Sequence, residues 1–201
     1  MKVFVTGGTG FVGREILSQL LQAGLAVRVL VREGSADKLP EPEKVEVHIG
    51  DITDGASLVG ALDGCDAVIH LVGIIREFPG RGITFKKMHV AATENILEAC
   101  DEQGVRRFLH MSSNGTRENG STAYHQTKWL AEQMVRDSGL DWTIFRPSLI
   151  FGQGSEFVKM LTELIRRVPV VPVIGDGQYL SLIHISEPTR RACRSRMPSS
   201  A

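Results

Sequence analysis

The segment TAYHQTKWLAEQ, residues 122–133, places a tyrosine and a lysine four positions apart. On a helix, Tyr124 and Lys128 would lie on one face, because residues i and i+4 are neighbours there. An ammonium group beside a phenol favours the phenolate and lowers the tyrosine pKa. Such a tyrosine can pass a proton to or from a substrate oxygen near neutral pH. The same spacing also occurs on ordinary solvated helix faces, so the surrounding sequence must decide between the two interpretations.

A glycine-rich segment, TGGTGFVG, follows the first apolar run of the chain. It places Gly7, Gly10 and Gly13 after a predicted strand and at the start of a predicted helix. Glycine at these positions permits a tight turn, close approach of the backbone to a pyrophosphate, and packing of the helix on the strand. The helix N-terminus adds backbone N–H groups and a partial positive charge. The pattern therefore predicts a dinucleotide-binding turn.

The end of the second predicted strand bears on the choice of cofactor. A carboxylate there would bind the ribose 2′-hydroxyl of NAD, whereas an arginine accommodates the 2′-phosphate of NADP. The sequence VRVLVREGS offers Arg32 followed by Glu33. Arg32 favours NADP because its planar guanidinium suits phosphate, while Glu33 keeps NAD as an alternative. After the third strand, Asp51 and Ile52 are expected near the adenine, although Asp51 is also a typical turn residue.

These groups need a scaffold, and the hydrophobic pattern predicts one. Apolar runs rich in Val, Ile and Phe alternate with longer amphipathic segments. Such alternation is typical of parallel strands joined by helical crossovers, and the continuous apolar runs indicate strands buried on both faces. The sequence thus predicts an α/β protein with a doubly wound parallel sheet, the Rossmann fold. Strands are predicted at residues 2–6, 26–31, 45–49, 67–72, 107–112 and 142–146. Helices are predicted at residues 12–24, 57–64, 85–104, 121–139 and 157–167, with Ser121 or Thr122 capping the fourth.

Composition excludes several classes of protein. The 201 residues are enough for one domain, with 42% hydrophobic and 23% charged residues and a formal net charge of zero. A neutral chain lacks the overall field expected of a nucleic-acid-binding protein, and its apolar runs are too short to span a bilayer. Cys65, Cys100 and Cys193 are widely spaced, which indicates neither a zinc site nor a disulfide framework. With no signal-peptide pattern, we expect a reduced, cytoplasmic protein.

Taken in order, the motifs of residues 1–179 resemble the extended and atypical short-chain dehydrogenase/reductases, also labelled NAD-dependent epimerase/dehydratase-like. The similarity is greatest to the branch related to the NAD(P)H-binding accessory subunit of respiratory complex I. The motifs are TGGTGFVG, GDITD, CDAVIHLVG, ENILEAC, FLHMSS, YHQTK, TIFRPSLIFG and PVIGDGQY.

The resemblance implies roles for individual residues. Tyr124 would be the catalytic acid/base, Lys128 would lower its pKa and hold the nicotinamide ribose, and Ser113 would hydrogen-bond the substrate oxygen. Pro147, after the sixth strand, would border the nicotinamide. The implied cofactor-binding set is Gly7, Gly10, Phe11, Val12, Gly13, Arg32, Asp51, Ile52, Leu71, Lys128 and Pro147.

Two histidines bear on this resemblance. His89 stands where extended members usually carry an asparagine that serves in proton relay. We expect His89 to be a helix packing residue, so the relay position is in doubt. His70, at the end of the fourth predicted strand, is expected to be a buried structural histidine.

The last 22 residues, LSLIHISEPTRRACRSRMPSSA, depart from the family pattern. They show no sustained helical or strand period, and LSLIHISEPTR resembles the translation of a sequencing-library adapter. We therefore expect residues 1–179 to form an NAD(P)-binding domain whose C-terminal substrate region is missing, and 180–201 to be a non-native tail. A natural disordered tail is the alternative.

Two functions follow from the resemblance. The first is a hydride-transferring oxidoreductase acting at a carbonyl or alcohol carbon of a small molecule, with a nicotinamide dinucleotide as cofactor. The second is a non-catalytic NADPH-binding module in a respiratory or other assembly. Neither hypothesis requires a metal, a nucleic acid or a transmembrane segment.

Overall fold

A computed structural model describes residues 1–152, 155–167 and 182–184. The chain divides into two compact units, Met1–Pro147 and Ser148–Ala201. The first unit contains all of the predicted site residues.

The first unit is built around a six-stranded, fully parallel sheet. The spatial order of the strands is β3-β2-β1-β4-β5-β6, so the chain reverses its direction of winding between β1 and β4. Ligands of doubly wound sheets bind at such a reversal, beyond the carboxyl ends of the strands. The strands are β1 (Lys2–Thr6), β2 (Ala26–Val31), β3 (Glu46–Ile49), β4 (Ala67–His70), β5 (Arg107–Met111) and β6 (Asp141–Phe145). The helices are α1 (Phe11–Gln22), α2 (Ala92–Glu102) and α3 (Ala123–Asp137).

The sheet is buried by apolar clusters on both faces. Val3 and Val5 point to the cluster that contains Leu17 of α1, whereas Phe4 points to the cluster that contains Phe108 and Val135 of α3. This division follows from the alternation of side chains along a strand. Burial on both faces explains why the strands read as continuous apolar runs, and the predicted doubly wound sheet is confirmed.

One predicted helix is wrong. Residues 57–64 form no helix of that extent. A single 3-10 turn, Gly55–Leu58, precedes a series of turns. The carboxylate of Asp54 accepts a hydrogen bond from the backbone N–H of Ala56 and starts this turn. Gly60 and Gly64 then adopt φ values of 70° and 69°, which a right-handed helix cannot contain.

The predicted helix at residues 85–104 begins with a different geometry. Lys86–Ala91 form a π-helical turn, and the α-helix α2 starts only at Ala92. Such π turns occur frequently at functional sites. The fourth predicted helix is α3, and its N-cap is Thr122, whose hydroxyl accepts from the backbone N–H of His125.

The second unit contains three described elements. β7 (Leu149–Phe151) pairs in parallel with β8 (Leu182–His184), and α4 (Glu156–Arg167) corresponds to the predicted helix at 157–167. The motif PVIGDGQY, at residues 172–179, lies outside the described residues. So does the predicted non-native tail, apart from β8.

Candidate functional site

The turn between β1 and α1 is shaped by glycines that no other residue can replace. Gly7 has φ of 77°, and its carbonyl oxygen accepts from the backbone N–H of Gly10 at 3.0 Å. A Cβ on Gly13 would lie 2.2 Å from that oxygen, and one on Gly8 would lie 2.6 Å from Val29 Cγ1. The turn is therefore pressed against both strand and helix, which is the close packing that a dinucleotide-binding turn requires.

The N-terminus of α1 faces the carboxyl edge of the sheet. Gly10 is the N-cap and has no side chain to cover the first-turn N–H groups of Phe11, Val12 and Gly13. The backbone at Leu71 lies beside the turn, since a Cβ on Gly7 would approach its carbonyl carbon to 3.1 Å. The structure thus brings together six of the predicted residues, and these glycines and amides fit a pyrophosphate.

The ends of β2 and β3 bring the residues predicted for the adenosine half close together. Arg32 and Glu33 follow β2 and are exposed. Partial burial raises the pKa of Asp51, but hydrogen bonds from Thr53 and the positive charges of Arg32 and Lys87 outweigh it, so this pKa lies below its usual value. Asp51 Oδ1 accepts from the Thr53 N–H and hydroxyl at 2.9 and 2.8 Å. Asp51 is therefore a turn residue that lies near Arg32.

The carbonyl of Ile52 anchors the same turn. Ile52 is buried, and its oxygen accepts from Asn95 Nδ2 of α2 at 2.8 Å. This bond ties the predicted adenine-side segment to the helix that begins at the π turn.

Lys128 is the most constrained residue of the site. Its side chain is 4% exposed, and Nζ donates to the carbonyl oxygen of Met111, at the end of β5, at 2.8 Å. Burial lowers the pKa of Lys128 to about 8, and the charge of Glu132 limits the decrease. A Cβ on Gly73, beyond the end of β4, would lie 3.0 Å from Nζ. The absence of a side chain at Gly73 thus leaves room for the ammonium, a close approach that spacing in the sequence does not reveal.

Ser113 and Tyr124 lie on either side of the loop that joins β5 to α3. Ser113 comes two residues after Met111, and its Oγ lies 3.3 Å from Thr116 Oγ1. Tyr124 is half-buried, and the edge-on rings of Phe85 and His89 lie with their centroids 5.7 and 5.3 Å from its own. Lys128 follows one helical turn later.

Pro147 ends the first unit at the same edge of the sheet. Its carbonyl oxygen accepts from the backbone N–H of Asn114 at 2.7 Å. The strand β6 is joined to the same loop, because Phe145 O accepts from the Ser112 N–H at 2.8 Å. These two bonds position the segment that carries Ser113 next to Pro147.

His89 is buried as predicted, but it does more than fill space. Its Nδ1 lies 2.9 Å from Thr127 Oγ1 of α3, and its Nε2 lies 3.1 Å from Ile74 O and 3.2 Å from Ile74 N. Burial and the charge of Lys128 lower its pKa to about 3, so the ring is neutral at pH 7. Because the Thr127 hydroxyl donates to the carbonyl oxygen of Ala123 at 2.7 Å, these contacts favour the tautomer in which Nδ1–H donates to Thr127 and Nε2 accepts from the Ile74 N–H.

His70 is fully buried, as predicted, and links the glycine turn to α2. Its Nδ1 lies 2.8 Å from Thr6 Oγ1, and its Nε2 lies 3.3 Å from Thr93 Oγ1. Thr93 in turn donates to the carbonyl of His89 at 2.7 Å. Burial, followed by the charges of Lys128 and His89, lowers the pKa of His70 to about 3.

A third buried histidine was not predicted. The ring centroid of His110, on β5, lies 5.5 Å from that of His70. Neither ring nitrogen of His110 has a hydrogen-bond partner within the described part of the chain. Burial, together with nearby positive groups, lowers its pKa well below the usual value.

A buried ion pair supports α3 behind the site. The carboxylate of Glu132 is fully buried and accepts two hydrogen bonds from Arg146, from Nε at 2.8 Å and Nη2 at 2.5 Å. Arg136 Nη2 lies 3.5 Å from the same carboxylate. The signal available in the sequence was the position of Glu132 four residues after Lys128.

Two kinds of feature are absent from the described residues. Among the described residues, no group of three or more His, Cys, Asp or Glu side chains is arranged to hold a metal ion. Nor does the described part of the chain include a helix of the length and apolar character that crossing a membrane requires.

Comparison with known proteins bears on what this site binds. Residues 7–161 match the family model described as NAD(P)H-binding. This range includes the glycine turn and the residues Ser113, Tyr124 and Lys128.

Three curated relatives share this region. A 3 beta-hydroxysteroid dehydrogenase/Delta 5→4-isomerase of Mycobacterium tuberculosis is 33% identical over 91% of this chain and 58% of its own length. A ceramide reductase of Caulobacter vibrioides is 31% identical over 92% of this chain and 57% of its own. Subunit 9 of the NADH dehydrogenase [ubiquinone] 1 alpha subcomplex of Dictyostelium discoideum is 26% identical over 90% of this chain and 51% of its own length. The chain thus spans between half and three-fifths of the length of these relatives.

Solved structures show the same fold with a nucleotide in place. A short-chain dehydrogenase/reductase superfamily protein of Agrobacterium tumefaciens with bound NAD is 28% identical, with a TM-score of 0.62 over 75% of this chain and 50% of that protein. The family match, the relatives and this neighbour agree with the glycine turn and the parallel sheet. The chain belongs to the NAD(P)H-binding family and is of the extended short-chain dehydrogenase/reductase type.

Proposed function

We propose that the protein is an oxidoreductase that reduces a ketone, or oxidises the corresponding alcohol, on a small apolar molecule. The observation that carries the proposal is the buried ammonium of Lys128, bonded to the carboxyl end of β5 one helical turn after Tyr124. Burying a lysine costs free energy, and a lysine is almost never fully buried unless it has a partner. The relatives named for a hydroxysteroid and a ceramide support an apolar substrate.

The nicotinamide ring, when bound, supplies or accepts the hydride. The chain itself would hold the pyrophosphate with the first-turn amides of α1 and bring the substrate carbonyl between Ser113 and Tyr124. The Ser113 hydroxyl donates a hydrogen bond to the carbonyl oxygen. The Tyr124 hydroxyl gives its proton to the same oxygen as the carbon is reduced, and the positive charge of Lys128 stabilises the resulting phenolate. Oxidation uses the same groups in reverse.

Tyr124→Phe tests this assignment. The variant should bind NADPH within about twofold of the wild type and lose about 100-fold or more of kcat, since general acid catalysis contributes about 10² to 10⁴. Cofactor binding is measured by NADPH fluorescence, and turnover on a panel of steroid and sphingoid ketones by absorbance at the reduced-nicotinamide band. Ser138→Ala, at the far end of α3, is the matched control and should retain both properties. A Tyr124→Phe variant with wild-type kcat would refute the proposed role.

We further propose that Arg32 makes NADP(H) the preferred cofactor. Its guanidinium follows β2 and lies near Asp51, where the 2′-phosphate of the adenosine ribose is expected. Arg32→Ala should weaken NADPH binding about tenfold and leave NADH binding within about twofold, because only the phosphate contact is lost. Fluorescence titration of both nucleotides measures this. Equal wild-type affinities for NADPH and NADH would contradict the preference.

A second candidate is a non-catalytic NADPH-binding module of a larger assembly. The likeness to the NADH dehydrogenase subunit supports it. In that case Tyr124→Phe should change neither nucleotide binding nor any rate, because there is no turnover to lose.

A further inference from the structure

The loop of residues 74–87, between β4 and α2, presents apolar side chains on its outer surface. Ile75 is 81% exposed and Phe78 is 43% exposed. Side chains of this size are normally buried, and an exposed pair within four residues marks an interaction surface more often than a lone example does.

The same loop is strongly basic. Of its five charged residues, only Glu77 is acidic, and the other four are Arg76, Arg81, Lys86 and Lys87, all exposed. The guanidinium carbons of Arg76 and Arg81 lie 5.5 and 6.0 Å from the centre of the Phe78 ring. The Glu77 carboxylate accepts from the backbone N–H of Phe85 at 2.6 Å, so it is used inside the loop. The surface therefore combines apolar groups with a net charge of +3.

The loop has a defined shape. Phe78 and Ile83 form an antiparallel bridge, with a 3-10 turn, Pro79–Arg81, between them. Gly82 ends this turn in the left-handed region, with φ of 68°. Phe78 is thus presented by an ordered hairpin, and Ile75 lies in the bend that precedes it.

Both ends of the loop are attached to the candidate active site. At one end Ile74 is hydrogen-bonded to the ring of His89, and at the other end the ring of Phe85 packs on that of Tyr124. Whatever binds the outer surface of the loop therefore lies next to the proposed catalytic tyrosine.

We infer that the 74–87 loop docks on the surface of a lipid bilayer that contains anionic lipids. Apolar side chains flanked by Lys and Arg are the combination that binds such an interface, where the apolar groups insert and the cations contact lipid phosphates. Charge complementarity selects this occupant, because two of the four exposed cations of the loop lie over the Phe78 ring, and its one acid is already hydrogen-bonded. This inference goes beyond the proposed oxidoreductase function and does not depend on turnover.

Sedimentation with vesicles tests the inference on the whole chain. The protein should bind vesicles of phosphatidylcholine with about one-third phosphatidylglycerol at 0.1 M salt, and bind pure phosphatidylcholine vesicles far more weakly. Raising the salt to 0.5 M should weaken binding, since screening shortens electrostatic attraction. Arg76→Ala/Arg81→Ala should lower the partition coefficient about 30-fold, from about 1 kcal/mol per basic side chain. Ile75→Ser should lower it about tenfold.

Matched variants test whether vesicle binding depends on this loop or only on the overall charge and the exposed apolar area of the protein. Lys38→Ala/Lys44→Ala removes the same amount of positive charge outside this loop, and Val59→Ser removes another exposed apolar side chain, which is 74% exposed. Both should stay within about threefold of the wild type. All substitutions are on the surface, and circular dichroism melting checks that each variant folds. Absence of preference for anionic vesicles, or equal losses in loop and control variants, overturns the inference. Because the assay needs no cofactor, either result leaves the oxidoreductase proposal to its own test.

Discussion

Lys128 carries its ammonium group in a place where water does not reach. A lysine in this position has three donors to satisfy, and the structure assigns one of them to Met111 O. The lowered pKa means that the charged form is held against the cost of burial. In the unfolded chain the same group has its ordinary pKa, so folding and protonation are linked.

Lys128→Met isolates that linkage. Between pH 8 and 10.5 the unfolded chain binds more protons at this position than the folded chain does, so the stability of the wild type rises with pH there. Relative to the variant, the wild type should gain about 2.4 kcal/mol in free energy of unfolding between pH 7.5 and 10. Urea unfolding of both proteins across this range measures the gain. A constant difference would show that the lysine titrates at its ordinary value.

At the scale of the element, α3 supplies both the proposed acid/base and its support. Tyr124, Lys128 and Glu132 are spaced by four residues along one face, and each is less exposed than the one before it. Glu132 has no solvent to stabilise its charge, so Arg146 of the segment after β6 must do so. The helix is therefore tied to β6 by the ion pair and to β5 by Lys128.

Glu132→Gln tests this support. Removing the carboxylate charge weakens both hydrogen bonds from Arg146, but Arg146 is itself 37% exposed and water can solvate it, so the loss should cost about 1 to 3 kcal/mol. The pKa of Lys128 should fall further, because Glu132 is the group that raises it. Arg136→Gln is the control, since Arg136 lies 3.5 Å from the carboxylate without the two short hydrogen bonds that Arg146 makes, and its loss should cost less than about 1 kcal/mol. Urea unfolding measures both. Equal costs would argue against a special role for the buried bidentate pair.

Elements with a strong local signal were predictable, and those set by distant contacts were not. The six strands follow from continuous apolar runs, and the glycine turn follows from Gly7, Gly10 and Gly13. The helix predicted at residues 57–64 was wrong because Gly60 and Gly64 take positive φ, which spacing alone does not reveal. The π turn around His89 depends on bonds to Thr127 and Ile74, 38 and 15 residues away in sequence. The close approach of the Lys128 ammonium to Gly73 likewise appears only when α3 is packed beside the segment after β4.

At the scale of the whole molecule, three buried histidines connect the central strands to α2 and α3. His70 and His110 occupy paired positions on β4 and β5, and His89 joins the π turn before α2 to α3 through Thr127. All three are neutral when folded, because burial lowers each pKa. In the unfolded chain they protonate near pH 6.5. The unfolded state thus binds more protons below that pH, so stability is lost as pH falls from about 6.5 towards 3.

His110→Leu should make the protein less sensitive to acid. It removes one of three histidines whose protonation in the unfolded chain lowers the free energy of unfolding, each by about 1.4 kcal/mol per pH unit below 6.5. It also removes two buried nitrogens that lack partners among the described residues, so stability at pH 7.5 should hold or rise. His70→Leu is the matched comparison. It removes a similar contribution but leaves the Thr6 hydroxyl unpaired, which should cost about 1 to 3 kcal/mol at pH 7.5. Urea unfolding at pH 7.5, 6 and 5 separates the two, and equal behaviour would contradict this account.

The acceptor for the Lys128 ammonium belongs to the main chain, not to a side chain. Exchanging Met111 for valine, isoleucine or threonine leaves that oxygen where it is, provided that β5 keeps its pairing. Variation at position 111 among related proteins therefore carries no information about whether the lysine is anchored. The Met111 side chain can also be exchanged by design without releasing the lysine.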